Sequence, residues 1–133
     1  MHSWLSLDPT VREPLFEQLV FRLQEAVARG DLAPGDRVPS VRELAGSLAI
    51  NPNTVGRAIS ELVSRGVLVR KQGSGCFVAE QPRLQATEAD REALRERLHR
   101  TCVEAAMRGL DADDLTQALE RELDGLFRGR RSA

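Results

Sequence analysis

The chain has 133 residues, enough for one domain of ordinary size or a small domain with a helical appendix. Lys and Arg number 19 against 20 Asp and Glu, so the overall charge gives no reason to expect general binding to polyanions. Hydrophobic residues make up 41% of the chain and aromatic ones only 4%, so Leu, Val, Ile and Ala must fill the core, and no apolar run approaches the roughly 20 residues of a membrane span.

The first residues, MHSWLSLDPTVREP, lack the basic region, apolar core and small-residue cleavage site of an export signal, which predicts a cytoplasmic protein. Trp4, Leu5 and Leu7 form a short apolar arm expected to lie along the main domain as an extended edge, with a frayed terminus as the alternative. Pro14 then opens a long helix. Its apolar stripe is Leu15, Phe16, Leu19, Val20, Leu23, Ala26 and Val27, with Glu17, Gln18, Arg22, Glu25 and Arg29 expected outside. Gly30 ends it, and Pro34-Gly35 supplies a turn.

Two short helices follow. Ser40 and Glu43 have the spacing of a capping box, in which the serine oxygen accepts the Glu43 N–H and the carboxylate reaches back to the N–H of Ser40. That helix is expected to fade near Ser47. The next has Asn51 as N-cap and Pro52 at its first position, where no N–H is missed. Val55, Ile59, Leu62 and Val63 form its inner face, while Asn53, Arg57, Ser60 and Ser64 leave a polar stripe suited to the floor of a DNA major groove, although most such stripes are ordinary solvated faces.

Gly66 suits a left-handed helix end. Two β-rich runs, Val67–Lys71 and Cys76–Ala79, flank Gln72, Gly73, Ser74 and Gly75 and read as a hairpin with a basic, nearly side-chain-free tip. Between Arg37 and Gly75 six basic residues (Arg37, Arg42, Arg57, Arg65, Arg70, Lys71) stand against two acidic ones (Glu43, Glu61), a local balance of +4. A neutral chain with one basic region fits a selective nucleic-acid binder better than an indiscriminate one.

These residues carry a resemblance. The order G-x-L-x-P-G-D-R-x-P-S-V-R-E-L-A, then N-P-N-T-V, then G-x-G-x-F-V is similar to the N-terminal winged helix of the GntR family of bacterial transcription regulators, over Pro14 to Val78, and the N-P-N-T-V variant with a short tail resembles the YtrA-like subfamily. The resemblance implies that Arg42, Asn53 and Thr54 contact operator DNA, with Gly73 and Gly75 beside the backbone. Many members carry arginines where this chain has Pro52 and Gly56, so Arg57 and the asparagines would have to substitute.

After the linker Gln81, Pro82 and Arg83, Thr87 and Asp90 repeat a capping pattern. Leu94, Leu98, Cys102 and Ala105 mark one helical face as far as Gly109, and Asp111 caps a last helix with Leu115, Leu119, Leu123, Leu126 and Phe127 on one side, ahead of a basic RGRRSA end. A two-helix hairpin of about 45 residues is too small to enclose a metabolite pocket of the usual few hundred Å3. Its apolar surface is expected to pack on a second copy, or else to dock back onto the winged helix of its own chain.

Cys76 and Cys102 stand apart, as do His2 and His99, so reduced thiols and no metal are expected, and no P-loop, dinucleotide fingerprint or nucleophile elbow suggests a cofactor or an enzyme. The expected fold is mainly α with a small β-hairpin: a winged helix-turn-helix over residues 1–80 and a helical dimerisation region over 81–133. The candidate DNA-contacting residues on and just ahead of the two helices are Arg37, Ser40, Arg42, Asn51, Asn53, Thr54 and Arg57. Those on the wing are Lys71, Gln72, Gly73, Ser74 and Gly75. Leu94, Leu98, Leu115, Leu119, Leu123, Leu126 and Phe127 are the candidate dimer contacts. The expected partners are double-stranded operator DNA and a second copy of the chain, with no small-molecule effector identified. The family's habits add a repressor acting on its own operon and on a transporter operon. The competing reading is a winged helix used as a protein-interaction module.

Overall fold

The computed structural model describes residues 5–82 and 85–127; Trp4 of the apolar arm, Arg83 of the linker and the RGRRSA end lie outside the described residues. The chain divides into two compact units, Met1–Leu84 and Gln85–Ala133. In the first, α1 (Leu15–Arg29) is followed by β1 (Arg37–Val38), α2 (Val41–Leu48), α3 (Pro52–Ser64), β2 (Leu68–Lys71) and β3 (Gly75–Val78); the second holds α4 (Glu88–Met107) and α5 (Ala112–Phe127).

The helix signals act where the sequence places them. Ser40 Oγ accepts the Glu43 N–H at 3.1 Å, and Asn51 Oδ1 accepts the Asn53 N–H at 2.8 Å with Pro52 in the first turn. Past α3, Gly66 takes φ +79°, its N–H bonding to Val63 O and the Val67 N–H to Leu62 O, so the chain reverses directly into β2. Between α2 and α3 the same left-handed position is filled by Ala49, at φ +55° and exposed. The Ile50 N–H reaches back to Ala45 O across this turn.

The expected hairpin carries a third strand. β1 pairs antiparallel with β3, Arg37 opposite Phe77 and Val38 opposite Cys76, giving the order β1-β3-β2. Two residues have no periodicity to read, and the pairing is prepared by the Pro-Gly turn: Gly35 N–H donates to Val78 O and Val78 N–H to Asp36 O. Leu19 and Leu23 of α1, Leu44 of α2, Val55 and Leu62 of α3, and Val38, Leu68 and Val78 of the sheet are fully buried together. Ala58, absent from the expected inner face of α3, is also fully buried, a small residue where α3 crosses α1.

Gln18 does not stay outside. It is buried, its Nε2 donating to Asp8 O (2.9 Å) and Glu13 O (2.7 Å) while its Oε1 accepts the Asp8 N–H (2.9 Å). The side-chain amide thus satisfies backbone groups of the N-terminal arm, whose Leu5 joins the core and whose Leu7 packs against it.

In the second unit Thr87 and Asp90 form a complete capping box. Hydrogen bonds from the Thr87 N–H and hydroxyl hold the Asp90 carboxyl below its ordinary value. Asp111 and Asp114 cap α5 reciprocally, each backbone N–H bonding to the other's carboxylate at 2.9 Å. Gly109, at φ +83°, ends α4, with the Leu110 N–H on Ala105 O. Both helices form as expected, but they make little contact along each other, and Ala105 is the only buried residue among those described in them.

Two stability outcomes follow. Gln18→Ala leaves the Asp8 and Glu13 backbone groups without their partner and should cost about 1–3 kcal/mol, with faster amide exchange confined to the arm, read by urea denaturation and hydrogen exchange. Ala49→Gly removes a left-handed penalty of about 1–2 kcal/mol against a glycine entropy cost of about 0.4–1 kcal/mol, so the urea midpoint should rise by the equivalent of up to about 1.6 kcal/mol. A lower midpoint would show that the turn carries no strain.

Candidate DNA interface

The surface around α3 and the wing is concave and open, divided into adjoining grooves. One runs along α3 and is lined by Phe16, Val41, Pro52, Asn53, Gly56, Arg57, Ser60, Glu61 and Arg70. A second lies between the start of α2 and the wing, bringing Ser40 together with Lys71, Gln72, Gly73 and Gly75. Arg42 borders a third, with Ala45, Gly46, Ile50 and Pro52. Ser40, Asn53 and Arg57 from the helices and Lys71 to Gly73 and Gly75 from the wing therefore line neighbouring parts of one face. Val41 lines all three grooves.

The caps consume part of the polar inventory. Asn51 and Ser40 each spend an acceptor on a helix start, although the Ser40 hydroxyl keeps a hydrogen to donate. Thr54 is half-buried and lines none of these grooves, whereas Ser74 is exposed at the wing tip, its N–H bonded to Lys71 O. The turn needs its glycines: Gly73 has φ +77° and Gly75 φ +111°.

Arg37 corrects one expectation. The Glu43 carboxylate does not reach back to the Ser40 N–H; it faces Arg37, with Nη1 3.8 Å from Oε1. The pairing became available because β1 fixes Arg37 beside the start of α2. Its guanidinium also crowds the wing: a Cβ on Gly75 would stand 3.4 Å from Arg37 Nε.

Charges in this region are sorted by these contacts. Glu43 is opposite Arg37, and Glu61 binds Arg65 at 2.9 Å. That accounts for both acids between Arg37 and Gly75, leaving Arg42, Arg57, Arg70 and Lys71 with no ion pair among the described residues. Three of the four are held by uncharged partners. Arg57 lies over the Phe16 ring at 4.6 Å from its centroid, a contact that holds the guanidinium without neutralising it. Lys71 sits 4.7 Å from the Phe77 ring on the outer face of the sheet. Arg70 Nη2 donates to Ser60 Oγ at 2.7 Å. Arg42 is exposed on the first turn of α2.

Arg70 and Ser60 are absent from the expected contact set. Strand alternation could have found Arg70, because neighbours in β2 face opposite sides and only one of Arg70 and Lys71 can turn toward α3. Cys76, across from Arg70, is half-buried; burial pushes its thiol up, against the pull of the Arg70 charge.

Among the candidate dimer contacts, Leu94, Leu98, Leu119, Leu123 and Phe127 are exposed and Leu115 and Leu126 are half-buried. Among the described residues no group of three His, Cys, Asp or Glu could hold a metal ion, and no helix is long and apolar enough to cross a membrane.

Comparison with known proteins places this geometry. The family model for bacterial regulatory proteins of the gntR family matches residues 15–78, which span α1 through β3. The HTH-type transcriptional repressor YtrA of Bacillus subtilis (strain 168) is 32% identical over 111 residues, 84% of this chain and 85% of its own. Among solved structures, a transcriptional antiterminator from Listeria monocytogenes EGD-e covers 95% of both chains with a TM-score of 0.78 and 27% identity. AraR(DBD), solved in complex with operator ORX1, covers 56% of this chain and 93% of its own at a TM-score of 0.51 and 30% identity. Likeness to YtrA across most of both lengths, over a winged helix with an open basic face, shows that the chain belongs to the GntR family of DNA-binding bacterial regulators, alongside its YtrA-like members.

Proposed function

We propose that this protein is a homodimeric transcriptional repressor in the bacterial cytoplasm, whose winged helix (residues 1–80) occupies an inverted-repeat operator and whose tail (81–133) pairs two copies. The observation that carries the reading is the set of four cations on α2, α3 and the wing that have no carboxylate partner among the described residues. A surface of that kind gains free energy by displacing counterions from phosphates. A protein-interaction module would need an acidic partner to match these four charges, whereas operator DNA supplies the matching phosphates.

Within that face, α3 offers Asn53 and Arg57 to the major groove, Arg42 approaches from α2, and the wing brings Lys71 and two glycines to the backbone or minor groove. The name of the Bacillus relative supports repression, and family resemblance supports the protein's own operon and a transporter operon as targets. Pairing through the tail is supported by the exposure of apolar side chains on α5. Leu119 is 50% and Leu123 44% exposed one turn apart on α5, with Phe127 one turn further at 42%. A contiguous apolar face of that length is unusual on a soluble monomer.

Two measurements bear on this reading. The full chain should sediment as a dimer at micromolar concentration, and Leu119→Glu with Leu123→Glu should shift it to monomer while leaving the winged helix folded; a wild-type monomer would remove the tail from the proposal. In DNA binding over a salt series, Arg42→Ala should cost about 1–3 kcal/mol on the operator and relax preference at one base pair. Lys71→Ala should weaken all sequences alike and lower the salt slope by about 1. Equal weakening of operator and scrambled DNA by Arg42→Ala would make Arg42 a backbone anchor.

A further inference from the structure

A winged helix that reads two grooves must hold its wing at a set angle to its recognition helix. In this chain the base of the wing is short. Gly66 and Val67 turn α3 into β2 within a single capping motif, and the tip begins after Lys71. At about 3.3 Å per strand residue the tip stands roughly 13 Å from that turn. A hinge of some ten degrees at the base would therefore move the tip by roughly 2 Å, enough to break hydrogen-bond geometry there.

One charged side chain lies where such a movement would be resisted. Leu68 and Arg70 share the face of β2 that turns toward α3, and at its end Arg70 Nη2 donates to Ser60 Oγ, 2.7 Å away on the polar stripe of α3. Arg70 lines both the groove along α3 and the groove between α2 and the wing, and no other charged residue lines both. Lys71, on the opposite face of the strand, is anchored to Phe77 within the sheet and lines only the wing groove.

We propose that Arg70 is a positioning residue: by bonding Ser60 it locks the wing to the recognition helix, so that major-groove and wing contacts fall in register on one half-site. The inference rests on the DNA-binding reading above. It assigns Arg70 a part that a phosphate ligand does not have, because its effect is transmitted through an uncharged serine. A lock of this kind raises specificity more than affinity, since scrambled DNA can be bound by helix or wing separately while the operator rewards both together.

The test uses the full chain, an operator selected by the wild type from a random-sequence pool, and a scrambled control. Ser60→Ala and Arg70→Ala should each reduce the operator-to-scrambled preference by about 3–10-fold, the range expected for one solvent-exposed hydrogen bond. Adding Ser60→Ala to Arg70→Ala should reduce the preference no further, because the two changes remove the same bond. Ser60→Ala should leave the salt slope unchanged while wing protection in footprints becomes weaker than recognition-helix protection. Retention of full preference by Ser60→Ala overturns the inference, and equal weakening of both DNAs by Arg70→Ala with a salt slope lower by about 1 makes Arg70 a phosphate ligand instead. A wild type that selects no sequence overturns the DNA-binding reading as well, whereas a selective wild type with an indifferent Ser60→Ala overturns only the lock.

Discussion

The 13 residues of α3 have to satisfy two environments at once, and the rest of the first unit follows from that requirement. Val55, Ala58, Ile59 and Leu62 are buried against α1 and α2, while Asn53, Arg57 and Ser60 remain exposed on the other side. A helix can hold such a division only if its start is fixed, because a slip of one residue rotates every side chain by about 100 degrees. Asn51 and Pro52 fix it. The cap satisfies an orphan N–H and the proline, having no N–H, leaves none unsatisfied at its position, so the helix has one favourable starting point. The left-handed Ala49 then sets the angle between α2 and α3 at a residue that bears some strain, a cost accepted where the turn must be tight.

Electrostatics in this fold work by subtraction. The chain as a whole is close to neutral, and the basic surface arises because each acid between Arg37 and Gly75 is matched to one particular arginine. Exposed ion pairs of this kind contribute little to stability. Their consequence is to decide which cations remain uncompensated. Uncharged anchors then orient those that remain: an aromatic ring for Arg57 and a serine for Arg70. Ring and hydroxyl restrict an arginine without neutralising it, which suits a group whose charge is meant for another molecule.

Much of this was legible in the sequence where a local rule governs. The caps at Ser40, Asn51, Thr87 and Asp111, the glycine after α3 and the apolar stripes depend on neighbours within a turn or two, and spacing reveals them. What escaped is non-local. Gln18 reads as a surface glutamine until the arm folds back over it, and Glu43 reads as the second half of a capping box until β1 brings Arg37 alongside. The arginine and serine that join wing to helix are ten residues apart and belong to different elements, so neither period contains the pair. Residue type and spacing therefore nominate candidates, and which of them meet across elements is decided only by the fold.

The tail poses the reverse problem, with local structure strongly specified and tertiary structure left open. Both helices start with reciprocal caps, and α4 stops at a left-handed glycine, yet almost nothing in them is buried. Strong caps on a helix with no core make sense when the helix must be formed before its partner arrives, because the ordering entropy is then already spent and more of the pairing free energy survives as affinity. If the partner is a second tail, the benefit passes to DNA binding. A modestly basic winged helix binds one half-site weakly, and a second one tethered in reach acts at an effective concentration in the millimolar range. Selectivity then resides in the spacing of two half-sites as well as in the bases of each, which is how a chain with so few uncompensated charges could discriminate one operator from the bulk of a chromosome.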